Sequence, residues 1–148
     1  MKWEGKDIDQ YVQAKEYVDT AVVPLVPISF SEQMKQVVSK GEFVLTLANE
    51  LERQLKGRIL LLPPYTYLKN EEENKDKELK KWKATIKPHF KHVIFLTSDE
   101  DWKREGEDDI VWVPTVPLEH MDADLKRKLL QDQIEQILNI LLQSWNKS

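Results

Sequence analysis

The sequence predicts an α/β fold: a small doubly wound, mainly parallel four-stranded sheet, flavodoxin-like or reduced Rossmann-like, with helices on both faces. Three observations predict it. Four short apolar runs, at residues 21–26, 59–62, 93–96 and 110–113, lack the polar alternation of a half-exposed strand and read as strands covered on both sides. The connections between them are too long for hairpins, which implies parallel strands joined by right-handed crossovers. Prolines stand at the carboxyl ends of three of the four runs, Pro24 and Pro27, Pro63 and Pro64, Pro114 and Pro117, all on one edge of the sheet.

Composition fits one domain over residues 1–148, since a chain of 148 residues buries roughly two thirds of its unfolded surface. The absence of cysteine excludes disulfides, thiol catalysis and cysteine-based zinc sites. No signal-peptide core and no run of about 20 apolar residues is present, so a cytoplasmic protein without a membrane span is expected. The net charge of −4 argues against a nucleic-acid binder acting through overall electrostatics.

In chain order, residues 7–18 read as a helix with Asp7 as N-cap and Ile8, Tyr11 and Val12 on one face. Trp3 ahead of it reads as a packing residue that staples the terminus. The first strand is expected to end near Pro24, because proline cannot donate to the ladder, leaving residues 25–30 as a loop and Ser31 as the cap of the next helix. Val37, Val38, Gly41, Leu45, Ala48, Leu51 and Leu55 recur at helical spacing over residues 31–56, with a break at Gly41 as the alternative and Gly57 as a left-handed C-cap. The second strand stops at Pro63, Tyr65 and Tyr67 fall on its loop, and residues 69–77 read as a solvated charged segment. Leu79, Trp82 and Ile86 make a helix ended by Pro88. The third strand follows, then a polar turn at residues 106–109, the fourth strand, and a last helix from Asp122 to about Trp145. Strand order 2-1-3-4 is the expected arrangement.

In such a sheet the ligand crevice lies beyond the carboxyl ends of the strands, where the order reverses. That rule selects Ser29, Ser31, Ser98, Asp99 and Asp101, flanked by Tyr65 and Tyr67 on one side and Thr115, Glu119 and His120 on the other. Nucleotide binding of the familiar kinds is disfavoured, because no glycine-rich turn follows the first strand and no Walker-type Gly-Lys-Ser or Gly-Lys-Thr occurs, although Ser29 and Ser31 at a helix N-terminus could still hold an anion. No cofactor is therefore assigned. Asp99, Glu100 and Asp101 have the placement of acids that hold a hard cation, but the same residues serve a helix N-terminus, and no metal site is assigned. Capping accounts for Ser31, and tyrosine pairs commonly seal a loop against a core. His120 beside Glu119 and Asp122 is a candidate acid–base group, with a surface role as the plainer account.

Charge is segregated. Lys75 to Lys91 contains seven lysines against two acids, and Asp99 to Asp109 seven acids against two basic residues. The basic helix could engage RNA, an anionic membrane or an acidic partner, and a solvated face is the plainer reading. The last helix has an apolar stripe covering over half its circumference, so burial on two sides is expected. A protein partner or homodimer would then use Ile140, Leu141, Leu142 and Trp145.

The opening Met1-Lys2-Trp3-Glu4, with Asp7, Tyr11 and the stretch Val23-Pro24-Leu25-Val26-Pro27-Ile28, resembles a family of small uncharacterised proteins from Bacillus and related Firmicutes. The resemblance spans the chain and implies a bacterial cytoplasmic protein, with no activity, cofactor or catalytic residue to carry across. Three function classes remain on the residues alone: a non-enzymatic interaction or regulatory module, a small-ligand or anion binder at the crevice, and a metal-assisted enzyme using Asp99, Glu119 and His120 on the same rim.

Overall fold

The computed structural model describes residues 1–69, 72–103, 107 and 109–147. Its elements, in order, are α1 (Gly5–Gln13), β1 (Thr20–Ile28), α2 (Met34–Gln54), β2 (Ile59–Leu61), β3 (Tyr65–Leu68), α3 (Glu72–Ile86), β4 (His92–Thr97), β5 (Ile110–Trp112) and α4 (Ala123–Asn146). Every strand pairing is parallel, in the order β2-β1-β4-β5, with β3 against the outer half of β1. The expected order 2-1-3-4 is therefore the observed one, with a fifth strand added.

That fifth strand and the length of β1 correct the reading of the prolines. β1 does not stop near Pro24; it runs nine residues to Ile28. Backbone groups of Thr20, Val22 and Ile28 bond toward β2 and β3. By alternation Pro24 faces that side too, at the point where Pro63 and Pro64 divide β2 from β3. Pro27 faces the other side, past Pro24↔Leu96, the last pair with β4. Each missing N–H thus points to a side where the paired stretch has ended or not yet begun, so neither proline removes a bond from a paired stretch. The same division puts Tyr65 and Tyr67 on a strand rather than a loop.

Alternation along the central strands feeds two cores. Val22, Ile94 and Leu96 pack under α2 and α4, while Ala21, Val23, Leu25, Val93 and Phe95 pack under α1 and α3. Sheet faces buried on both sides explain why the strands read as continuous apolar runs. Gly41 does not break α2: an added Cβ there would come 3.1 Å from Val26 Cγ1, so glycine lets the helix lie close on β1.

Several helix ends differ from expectation. α1 ends at Gln13, not Val18, and Asp7 is no N-cap; its carboxylate accepts the Lys2 N–H at 2.7 Å, fixing the chain entry. α2 starts at Met34, and Ser31 Oγ accepts from Gln33 N at 3.3 Å in the turn before it. Leu55 is the C-cap, and Gly57 has no left-handed φ. Within residues 69–77, expected to be solvated coil, α3 already begins at Glu72, while Asn70 and Glu71 lie outside the described residues. So do Gly106 and Asp108 of the expected polar turn. Asp122 caps α4 as expected, accepting from Leu125 N at 2.8 Å.

Candidate functional site

Order reverses between β1 and β4, so the crevice rule points at the ends of these two strands. β1 delivers the turn Ser29–Phe30–Ser31. Ser29 Oγ donates to Ser31 Oγ at 3.0 Å and accepts from Ser31 N at 3.3 Å, closing a tight turn. Phe30, at its tip, is 82% exposed. One turn into α2, Met34 and Val38 stand four residues apart on one helix face, both exposed. The rim thus presents apolar side chains where α/β enzymes usually present polar ones.

β4 delivers Ser98 and Asp99, both buried. Asp99 accepts from the Tyr67 hydroxyl, from Lys69 Nζ at 3.1 Å and from Asp101 N at 3.1 Å, while its own N–H donates to Thr97 Oγ1 at 3.0 Å. Burial alone would raise its pKa; the Tyr67 hydrogen bond, the Asp101 amide and Lys69 outweigh that and hold it below the usual carboxylate value. Burial and the Asp99 carboxylate push the Tyr67 phenol well above its ordinary value, so it stays a donor. Burial opposes the charge on Lys69, but Asp99 and Asp101 together raise its pKa.

Around this group, Trp102 meets Tyr67 edge-on with centroids 5.5 Å apart, and Tyr65 stacks on Tyr67 at 5.9 Å. Lys75, only 4% exposed, lays its ammonium over the Trp102 ring at 4.6 Å. Lys69, Lys75 and Trp102 were not singled out as site residues from sequence. Lys69 and Lys75 looked like members of a solvated charge run, and nothing in their spacing announces a buried position.

Tyr67, Asp99 and Asp101 are therefore brought together, with Tyr65 stacked beside them. Glu119 and His120 form a different, exposed group. Lys35 Nζ reaches Glu119 at 2.6 Å and holds its pKa down, and His120 Nε2 lies 3.6 Å from Glu119 Oε1, with His120 in a left-handed conformation at φ 69°. Lys40 likewise pairs with Glu100 at 2.7 Å. Among the described residues, the buried oxygens Ser98 Oγ and Thr115 Oγ1 are hydroxyls without a hydrogen-bond partner. Among the described residues no group of three or more His, Cys, Asp or Glu side chains is placed to hold a metal ion.

On α4 the expected surface divides. Ile134, Ile137 and Leu141 lie fully within the core, and Trp145 packs against it. Leu141 is thus a core residue rather than part of a partner surface, and Trp145 is partly buried against that core. Ile140 and Leu142 are 39% and 48% exposed and stand about 160° apart around the axis, on opposite flanks of the buried face. The wide stripe arises because this helix is wedged between the sheet and α2, which bury the middle of the stripe and leave its edges. No helix among the described residues is long and apolar enough to cross a membrane.

Comparison with known proteins gives one family. Residues 9–145 match the model described as Protein of unknown function (DUF2487). A Bacillus subtilis (strain 168) protein, printed as Uncharacterized protein YpiF, is 46% identical over 147 residues, covering 99% of each chain. No solved structure matches.

Proposed function

Because this chain belongs to the DUF2487 family of proteins of unknown function, we propose a role from its own residues: a non-enzymatic interaction module that docks a protein partner on the rim at the carboxyl end of β1. Phe30 carries the reading. A phenylalanine 82% exposed on a turn tied by two serines is an apolar anchor held ready, and its ordering cost is met before binding. Met34 and Val38 extend the apolar surface along α2, and the Lys35–Glu119 and Lys40–Glu100 pairs supply polar groups of the kind found around interface cores. The acid best placed for chemistry, Asp99, is buried and engaged by three donors, which favours a structural role for it.

A photo-crosslinking residue in place of Phe30, compared with one in place of the exposed Tyr17 before β1, tests this in a Bacillus host. One discrete adduct is expected from position 30, absent from position 17 and lost on Met34→Glu. The protein in that adduct should bind the purified chain about tenfold more weakly after Phe30→Ala. Identical adducts from both positions would sink the proposal.

The orphaned Ser98 and Thr115 hydroxyls favour a second reading, a small-ligand or anion binder at the same rim. A rise in melting temperature with phosphate or nucleotides, lost in Ser98→Ala, would support it over the first.

A further inference from the structure

Away from the rim, along the exposed flank of α2, two adjoining clefts of about 680 and 330 Å³ share Glu50, Arg53 and Leu130 and make one groove. Thr46, Asn49, Glu50, Arg53 and Lys56 line it from α2, recurring at three and four residues and so standing on one helix face. Residues at the start of the chain and in α1 line one part, and the first turns of α4 line the other. From Thr46 to Lys56 the helix rises about 15 Å, so the groove is elongated.

Six cations line this groove, Lys2, Lys6, Arg53, Lys56, Lys126 and Arg127, against four acids. Three of the acids are already engaged. Glu52, 2% exposed, meets the Met1 amino group at 3.0 Å, and Asp7 accepts the Lys2 N–H at 2.7 Å. Glu50 accepts from Arg53 Nε and from Gln54 Nε2, both at 3.1 Å, and Arg53 above all holds its pKa below the usual value. Only Glu4 has no such partner among the described residues. Arg53 is committed to Glu50, and Arg127 lies 3.7 Å from Asp124. Lys2, Lys6, Lys56 and Lys126 form no side-chain ion pair among the described residues. The lining therefore carries an excess of two positive charges in a chain of net charge −4, and counting the Met1 amino group and Asp124 leaves that excess the same. Gln131, whose Oε1 accepts from Gln54 at 2.9 Å, keeps its NH2 group as a donor.

We infer that this groove binds a linear polyphosphate, whose phosphate groups lie along the lysines spaced from α1 to α4. Lysine is a compact point charge that suits single phosphate oxygens, and charge repeated along a chain matches cations spread over a length rather than gathered at one point. RNA fits less well. Trp3, expected to staple the terminus, is 58% exposed and lines a separate cleft, so no aromatic face in the groove is offered to a base. A peptide with an apolar anchor fits less well too, since Ala123 and Leu130 are the only apolar side chains in the lining.

Calorimetry of the full chain with orthophosphate, tripolyphosphate and long-chain polyphosphate tests the inference. Binding should tighten with chain length and weaken from about 50 to 300 mM salt. Lys56→Gln combined with Lys126→Gln, both at exposed positions where folding is preserved, should weaken the long chain about tenfold. Lys77→Gln combined with Lys80→Gln removes the same charge from α3 and should have less than about a twofold effect. Phe30→Ala and Ser98→Ala should leave binding unchanged, which separates this groove from both readings of the rim. The inference is overturned if no polyphosphate binds, if orthophosphate binds as tightly as the long chain, or if the α3 pair costs as much as the groove pair. It is equally overturned if polyglutamate or oligouridylate binds as tightly as polyphosphate, which would give the groove to an acidic protein segment or to RNA, or if ATP binds more tightly than tripolyphosphate, which would give it to a nucleotide.

Discussion

The indole Nε1 of Trp145 donates a 2.9 Å hydrogen bond to the hydroxyl of Thr20, tying the last turn of α4 to the first residue of β1. The Arg58 guanidinium lies 3.6 Å over the same indole and reaches both oxygens of Asp19 at 3.2 and 3.3 Å, so one ring joins helix, central strand and the entry to β2. Trp145→Phe should cost about 1 kcal/mol, the worth of the hydrogen bond, and Trp145→Ala about 2–4 kcal/mol through lost packing and the exposed Thr20 hydroxyl. Urea unfolding with unchanged m-value checks both; equal stability of the Phe and Ala variants would refute the division between ring and N–H.

Gly41 is expected to show a sign that depends on size. Alanine at this position gains up to about 1 kcal/mol of helix propensity but presses its Cβ on Val26, so Gly41→Ala should lie within about 1 kcal/mol of wild type. Gly41→Leu should lose about 1–3 kcal/mol or more, because β1 cannot move without disturbing its pairing with both β3 and β4. Thermal melts of the two variants decide it, and a stable Gly41→Leu protein would show that α2 is not packed on β1 as closely as described.

Asp99 gives an acid-side signature. Its folded pKa is depressed, so its contribution is present in full above the unfolded value of about 3.9 and is lost as pH falls from there through the lower folded value. Asp99→Asn should destabilise the protein by about 1–3 kcal/mol at pH 7, since it leaves Lys69 without its buried partner. The gap between wild type and variant should close below about pH 4. A gap constant from pH 7 to pH 3 would mean that the carboxylate charge does not matter to folding.

The two flanks of α4 should separate from its centre. Leu142→Glu and Ile140→Glu, at exposed positions, should each change stability by less than about 1 kcal/mol, whereas Leu141→Glu should prevent folding by burying a charge without a partner. Light scattering at tens of micromolar should give the same mass for wild type and Leu142→Glu, because Ile140 and Leu142 face apart and present no single apolar patch. A dimer that Leu142→Glu dissociates would overturn this.

Fold class was legible in the chain because parallel strands covered on both faces must be apolar at every position, as Val22, Val23, Ile94 and Phe95 are, and their connections must be long. The helix cap at Asp122 was equally legible, since a side chain that bonds an amide three residues on needs only local geometry. Membership of the Bacillus family was legible in the opening residues, and the family match and the 46% identity uphold it. Sequence also carried the meaning of proline correctly but not its position: that Pro24 and Pro27 cannot donate is local chemistry. Which side of β1 each faces, and whether a partner strand stands there, follows only from a sheet register joining residues forty and seventy positions apart. The same holds for the site. Asp99 and Tyr67 were both singled out, yet only packing could join them, bury Lys75 over Trp102 and turn Trp3 outward. Local sequence fixes what each residue prefers; the competition of many residues for one interior decides which of them are inside.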